Sequence, residues 1–352
     1  MQVQIYQLKF NNGFHLGAHG IGTESVRPTI PADTLFSALL SAWIRIGGDP
    51  NAWASAFLHP GDITDPPFLL TSAFPYAGGT LFFPRPLSMS LPDLSPDDKK
   101  DWKKVKFISE PIFWKLVHNN SLRGIWPEDR DGKRERLLQN GSMFITQNEA
   151  NSVPSPIWRE EKVPRVTLDR TNLSSNLYTV GRVVFAPDCG LWFGINWRDT
   201  GRNCGKITFS EAFEHSLAEL SVSGLGGDRN MGQGAFTYEM WDEISLPEPA
   251  SGHPSLLLSR YHPRDDELPS VLRSAPAYKL EAHSGWGESD RGQFRRRRTR
   301  FVTEGSVLSP STDAPLGETI DLAPLASTGQ PLLDHPVWRY GQAFLVGLRG
   351  EK

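Results

Sequence analysis

Five glycines crowd into one short stretch, GLGGDRNMGQG, in which Gly224, Gly226, Gly227, Gly232 and Gly234 flank Asp228, Arg229 and Asn230. Glycine lets successive backbone N–H groups turn toward an anion and lets a phosphate or base come close, and Arg229 can add a charge-assisted contact. A tight helix-to-strand connection, with glycines supplying positive φ, is the other use of such a stretch. Nucleotide-binding loops do not fit. Counted from Gly224, the last position of G-x-G-x-x-G falls on Arg229, and after Gly232 a Walker A loop would need Lys where Gln233 stands. Both nucleotide loops also follow a strand and open a helix, whereas this one follows the helical ITFSEAFEHSLAEL and precedes the strand-like TYEMWDEI.

Two histidines, His15 and His19, stand four apart in H-L-G-A-H. They could ligate a metal, act as acid and base in a metal-independent ribonuclease, or leave His15 to stack on or hydrogen-bond RNA at a strand edge. A plain turn histidine is the alternative. A zinc site wants four convergent ligands, and Cys189 and Cys204 are remote, so no metal site is expected. Arg295 to Arg298, with Arg291 and Arg300, form a basic run without an acid between them. Side chains alternate along a strand, so the run cannot all face one ligand. It reads as a solvated face or as an RNA track using phosphate contacts. Pairs such as Glu160-Glu161, Asp97-Asp98 and Asp265-Asp266 lie in polar surroundings and look like surface. No G-x-S-x-G, CxxC or HD motif occurs. The residues thus predict no enzyme and no cofactor.

These groups need a scaffold, and 352 residues suit two domains of ordinary size. With 38% hydrophobic residues, 28 Pro and 32 Gly, loops and sheets should outweigh long helices. The net charge of −3 excludes a uniformly basic coat and confines any RNA binding to local patches. No N-terminal stretch joins a basic start to an apolar run, and no window nears the roughly 18 apolar residues that span a bilayer. Two cysteines imply no disulfide framework. A soluble cytoplasmic protein is expected.

Val3 to Phe10 alternates as a strand, and Asp33 reads as the N-cap of a helix over LFSALLSAWIRI. DLSPDDKKDWKKVKF predicts a short helix, and residues 120–165 read as a charged insertion with its own mobility. Tyr178–Ala186 and Leu191–Trp197 predict a hairpin turning at Pro187 to Gly190. Strand, helix, hairpin, helix, glycine loop and strand follow the βαββαβ plan of a ferredoxin-like domain. After the linker SLPEPASGHP, further strand signals predict a smaller domain of similar type, so the fold class is α+β with domains at 1–247 and 248–352.

At this point a resemblance becomes specific. A GLGGDRNMGQGAF loop after the last helix of such a domain resembles the G-rich loop of the RAMP proteins of CRISPR systems. GFHLGAHG, IPADTLFSAL, LLTSAFPYAGGTLFFPRPL, KVPRVTLDRTNLSSNLY, EGSVL and HPVWRYGQA, in this order over nearly the whole chain, are similar to subunit four of the type III-A Csm effector complex, in the Cas-five group. The resemblance implies two RRM-like domains and a thumb-like hairpin, for which residues 120–175 are the candidate. It implies a non-catalytic subunit that holds the repeat-derived 5′ tag of a guide RNA (crRNA) and sits between the large polymerase-like subunit and the backbone RAMP subunit. The RNA-binding residues it points to are His15, Gly17, Asp33, Thr34, Ser37, Arg165, Arg170, Gly226, Gly227, Arg229, Asn230, Gly232, Gly234, Arg295 and Arg297. Arg165 and Arg170 lie in its RVTLDR segment, where Asp169 could instead simply hold Arg170. Some RAMP relatives cleave precursor RNA, which keeps a metal-independent endoribonuclease as the alternative function.

Overall fold

The computed structural model describes residues 1–17, 25–58, 65–88, 95–119, 124–127, 129–168, 175–289 and 292–348. The alternating start forms β1 (Gln2–Phe10), followed by α1 (Ala32–Arg45), α2 (Pro50–Ala54) and strands β2 (Phe68–Leu70), β3 (Phe74–Ala77) and β4 (Thr80–Pro84). An insertion brings α3 (Pro96–Lys104), β5 (Phe107–Ser109), α4 (Glu110–Asn119), α5 (Arg130–Arg136), β6 (Leu137–Leu138) and β7 (Met143–Phe144). Then come β8 (Trp158–Leu168), β9 (Ser175–Phe185), β10 (Cys189–Trp197), a small hairpin of β11 (Asn203–Cys204) and β12 (Ile207–Thr208), α6 (Phe209–Ser223), β13 (Phe236–Met240) and β14 (Ile244–Ser245).

The main sheet runs β13-β1-β10-β3-β4-β5-β7-β6. Taking β1, β3, β10 and β13 as the four strands of a βαββαβ unit, their spatial order is fourth, first, third, second, and α1 and α6 are its two helices. α6 is well punctuated: Thr208 and Glu211 make a capping box at its start, and Gly224 ends it. On the helix side, Tyr6, Leu8, Phe193 and Leu191 pack with Leu35, Leu39, Phe213 and Leu217. The opposite face is also covered: Val3, Ile5, Phe74 and Trp192 join Ile112, Phe113 and Leu116 of α4 and Leu256, Leu258 and Val346 of the C-terminal part. That face is therefore closed to the base stacking that an open RRM sheet offers.

Three expectations are corrected. The predicted hairpin of Tyr178–Ala186 with Leu191–Trp197 does not form. β9 pairs with β8 over eleven residue pairs, and β10 pairs with β1, β2 and β3. The reason is that β10 is buried from Cys189 to Asn196 on both faces and belongs in the sheet interior, while β9 is partly exposed. The long hairpin therefore comprises β8 and β9, not residues 120–175. The described part of the charged insertion is docked, with Ile125, Trp126, Met143, Phe144 and Ile145 buried. Asp33 is not an N-cap: Pro31 holds that position without a side-chain cap, and Ser72 Oγ accepts from the Ala32 N–H at 2.9 Å.

The C-terminal part consists of β15 (Ser255–Leu257), β16 (Leu280–His283), β17 (Trp286–Ser289), β18 (Gly292–Arg295), β19 (Thr299–Val302), β20 (Val307–Leu308), β21 (Ile320–Asp321), β22 (Trp338–Arg339) and β23 (Leu345–Gly347). A three-stranded sheet, β20-β15-β23, is accompanied by the pairs β16–β19, β17–β18 and β21–β22. Among the described residues its helical structure is one π-helical turn, Leu268–Leu272, rather than the two crossover helices of a second full βαββαβ unit. No helix among the described residues is long and apolar enough to cross a membrane.

A buried ionic cluster ties this part to α1. The Asp33 carboxylate, fully buried, lies 3.4 Å from Arg339 and 3.5 Å from His283. Arg260 pairs with Glu281 at 2.8 Å and Glu304 at 3.6 Å, and Arg27 with Glu281 at 3.1 Å. Burial works against the Asp33 carboxylate, but His283, Arg339, Arg260 and Arg27 outweigh it and hold its pKa below the ordinary value. Burial, reinforced by the nearby guanidiniums of Arg339, Arg260 and Arg27, pushes His283 below its usual value of 6.5 despite Asp33. The unfolded chain therefore takes up a proton that the fold resists. Stability tied to His283 is present above about pH 6.5 and is lost as pH falls. Thermal melts across this range should show an acid limb that His283→Gln flattens; an unchanged limb in that variant would remove His283 as its cause.

Candidate functional site

The glycine-rich loop leaves α6 at Gly224 and reaches β13 at Phe236, and its base is fixed by close backbone approaches. At Gly226, with φ +98°, a Cβ would fall 2.3 Å from the His15 carbonyl oxygen. That space is needed because the Gly227 N–H donates to the same oxygen at 2.9 Å, an antiparallel bridge between residues 15 and 227. Gly234 N–H likewise donates to the Gly13 carbonyl at 2.9 Å, and a Cβ on Gly234 would meet the Leu225 oxygen at 2.2 Å. Gly232 differs: it is in the left-handed region with φ +76° but has open space around it.

His15 joins the loop to the base of the β8–β9 hairpin. Phe14 and Val183 exchange backbone hydrogen bonds at 3.0 and 2.9 Å, and His15 Nδ1 lies 2.6 Å from the Gly181 carbonyl. A carbonyl can only accept, so Nδ1 carries the proton and donates, which leaves Nε2 as an acceptor. Arg165, cross-strand from Tyr178, reaches the Asp228 carboxylate at 3.7 Å. The hairpin thus braces the loop through both a backbone seam and an ion pair.

The tip is open. Arg229, Asn230, Met231 and Gly232 are exposed. Met231 and Gly232 donate back to Asp228 and Arg229 at 2.9 and 3.0 Å, and among the described residues the N–H groups of Asp228, Arg229 and Asn230 pair with no carbonyl. These donors, the Arg229 guanidinium and His15 form a place suited to an anion such as a phosphate.

The structure therefore brings together His15, Arg165, Gly226, Gly227, Arg229, Asn230, Gly232 and Gly234. Gly17 lies just beyond, bridging to Val26. Asp33, Thr34 and Ser37 belong elsewhere: Asp33 is buried, and Ser37 Oγ donates to the Asp33 carbonyl at 2.7 Å and accepts from Arg339 at 3.2 Å. A ligand cannot reach Asp33 in this fold, because the C-terminal part covers it. Arg295 and Arg297 sit on and after β18, away from the loop in the pairing scheme. His19 and Arg170 lie outside the described residues. Sequence reading passed over Gln233, which is buried in the loop with neither amide atom paired; a glutamine among glycines gave no signal of burial. Among the described residues no three His, Cys, Asp or Glu side chains are grouped as metal ligands would be.

Residues 251–348 match the family described as the CRISPR Csm4 C-terminal domain. The whole chain is 26% identical to the CRISPR system Cms protein Csm4 of Mycobacterium tuberculosis, over 99% of this chain and 98% of that protein. The Thermococcus onnurineus protein of the same name is 26% identical over 90% of this chain and 91% of its own. The C-terminal part thus matches the Csm4 C-terminal domain, and the chain as a whole is similar to Csm4 proteins. Among solved structures, a chain of the Csm3-Csm4 subcomplex in the type III-A CRISPR-Cas interference complex shares the fold with a TM-score of 0.61 at 17% identity, covering 99% of this chain and 100% of that one. A chain of the Csm1-Csm4 cassette in complex with cA4 gives 0.55 at 21%, covering all of both. The domain match lies C-terminal to the glycine-rich loop, so the reading of the loop rests on its geometry.

That geometry separates two substitutions. Gly226→Ala combines a strained φ with a backbone clash and should lower stability by about 1–3 kcal/mol. Gly232→Ala meets no atoms and should cost about 1 kcal/mol or less. Thermal unfolding of both variants checks this; equal losses would contradict the close approach at His15.

Proposed function

We propose that this chain is a non-catalytic, RNA-holding subunit of a type III-A CRISPR (Csm) effector complex, gripping the repeat-derived 5′ tag of the guide RNA with its glycine-rich loop. Supporting the assembly are the solved relatives, which carry the names Csm3-Csm4 subcomplex and Csm1-Csm4 cassette. On that basis the chain bridges the large polymerase-like subunit and the backbone RAMP subunit, in the cytoplasm. Residues 1–247 are taken as a ferredoxin-like domain and 248–352 as a second, helix-poor relative of that plan, with its own core around Leu257, Tyr261 and Val302.

The observation that carries the RNA reading is the contrast within one loop. Its base is locked to His15 and Gly13, while its tip presents Arg229, Asn230 and unpaired backbone donors. A rigid cradle of donors binds a phosphate without the ordering cost of a mobile loop. The same geometry favours holding over cutting. His15 spends Nδ1 on a backbone carbonyl, and the neighbouring carboxylate of Asp228 is engaged by Arg165, so the two are not set out as a free proton-transfer pair among the described residues.

Filter binding of tag-containing guide RNA should weaken with rising salt. Gly227→Val and Gly232→Val should each cost about 1–3 kcal/mol of affinity, the scale of one or two charge-assisted contacts. Wild-type affinity in both variants would sink the loop's RNA role. On labelled precursor RNA, replacing His15 and His19 by Ala should leave fragment lengths unchanged. Specific cleavage that disappears in the double variant would overturn the non-catalytic reading.

A further inference from the structure

The basic run after β17 separates, in three dimensions, into arginines that hold the fold and arginines that do not. Arg296 donates its backbone N–H to the Gly285 carbonyl at 2.9 Å and lays its guanidinium across Gly285, where a Cβ would meet Nη2 at 2.6 Å. Arg297 is tied twice, its N–H to the Leu322 carbonyl at 3.0 Å and its guanidinium to the Asp321 carbonyl. Arg295, Arg298 and Arg300 are exposed and make no ion pair among the described residues. Three acids of the surrounding C-terminal strands are already engaged. Glu281 pairs with Arg27 and Arg260, Glu318 with His262 at 3.2 Å, and Asp321 Oδ1 accepts from the N–H groups of Ala323 and Val337 at 2.8 and 2.7 Å. A chain of net charge −3 thus presents three exposed arginines here that make no ion pair among the described residues.

An aromatic platform accompanies that charge. Trp286 is directly cross-strand from Arg295, so the two share one face of the β17–β18 hairpin, and Trp286 is 62% exposed. Phe294 lies on the other face against Gly287, where a Cβ would meet its ring at 2.4 Å. An indole left in water beside a free guanidinium is the combination by which proteins stack a base and hold its phosphate. An acidic protein surface would satisfy the arginines but leave the indole unexplained.

The patch is also connected to the loop site by a chain of contacts. Gly227 bridges to His15, Gly17 to Val26, Arg27 pairs with Glu281, and Glu281 is opposite Phe301, the neighbour of Arg300.

We propose that the β17–β18 hairpin and the segment following it form a second binding site for single-stranded RNA, with Arg295, Arg298 and Arg300 on phosphates and Trp286 stacked on a base. The choice of RNA rests on the RNA-holding reading above, but the residues are different and the two can fail separately. The test is fluorescence anisotropy with the full chain and a short labelled oligouridine that lacks any tag sequence. The triple variant R295A/R298A/R300A should bind more weakly, and its log affinity against log salt should lose roughly 2 units of slope, about 0.7 per phosphate contact in single strands. Trp286→Ala should weaken binding about tenfold with little change of slope, while Trp286→Phe retains most of it. Gly232→Val should weaken binding of tag-containing guide RNA more than it weakens binding of this oligouridine, which separates the hairpin from the loop. Wild-type affinity and slope in the triple variant would overturn the proposal, as would loss of binding in Gly232→Val alone. Polyglutamate displacing the oligouridine with the same dependence on the three arginines and none on Trp286 would assign the patch to an acidic protein instead.

Discussion

The absence of one side chain, at Gly226, lets the His15 carbonyl lie 2.3 Å from where a Cβ would stand. From that approach follow the bridge to Gly227, the fixed loop base, and the placement of the His15 ring against the hairpin at Gly181. Because Gly13 also packs against the Val183 carbonyl, at 2.3 Å from an ideal Cβ position, the first strand's exit, the loop and the hairpin form one rigid junction. Rigidity matters chemically: donors held in place bind an anion without first being ordered.

A second constraint sets which surface is left open. The sheet face away from α1 and α6 is filled by α4 and by β15 and β23, and Asp33, Arg339, Arg260 and Glu281 clamp the C-terminal part onto the start of α1. Buried ion pairs of this kind add little net stability but strongly disfavour misplacement, because a partner left alone would be a bare buried charge. With both faces occupied, the loop tip and the β17–β18 hairpin are among the surfaces left exposed.

Much of this was legible from residues. The glycine density marked the loop, the helical run ITFSEAFEHSLAEL marked α6, and the alternation of Val3 to Phe10 marked β1. What escaped was decided by partners far away in sequence. β9 and β10 are separated by a good turn, Cys189 N–H donating to Ala186 at 3.1 Å, yet they part because β10 is apolar on both faces and its places beside β1 and β3 are worth more burial. Asp33 has the residue type of a cap, but it lies inside the first turn of α1 and Arg339 and His283, hundreds of residues on, claim its carboxylate. In the arginine run, composition could not tell Arg297, which is bound to Asp321, from Arg295, which is free.

The central claim is that RNA meets this chain at the braced loop. The most direct measurement is photo-cross-linking of guide RNA carrying 4-thiouridine in its tag, followed by mass spectrometry of the attached peptides. The account predicts adducts on the peptide spanning Arg229 to Gly232 and on the segment around His15. Adducts confined to peptides away from both, with the loop unmodified, would contradict it.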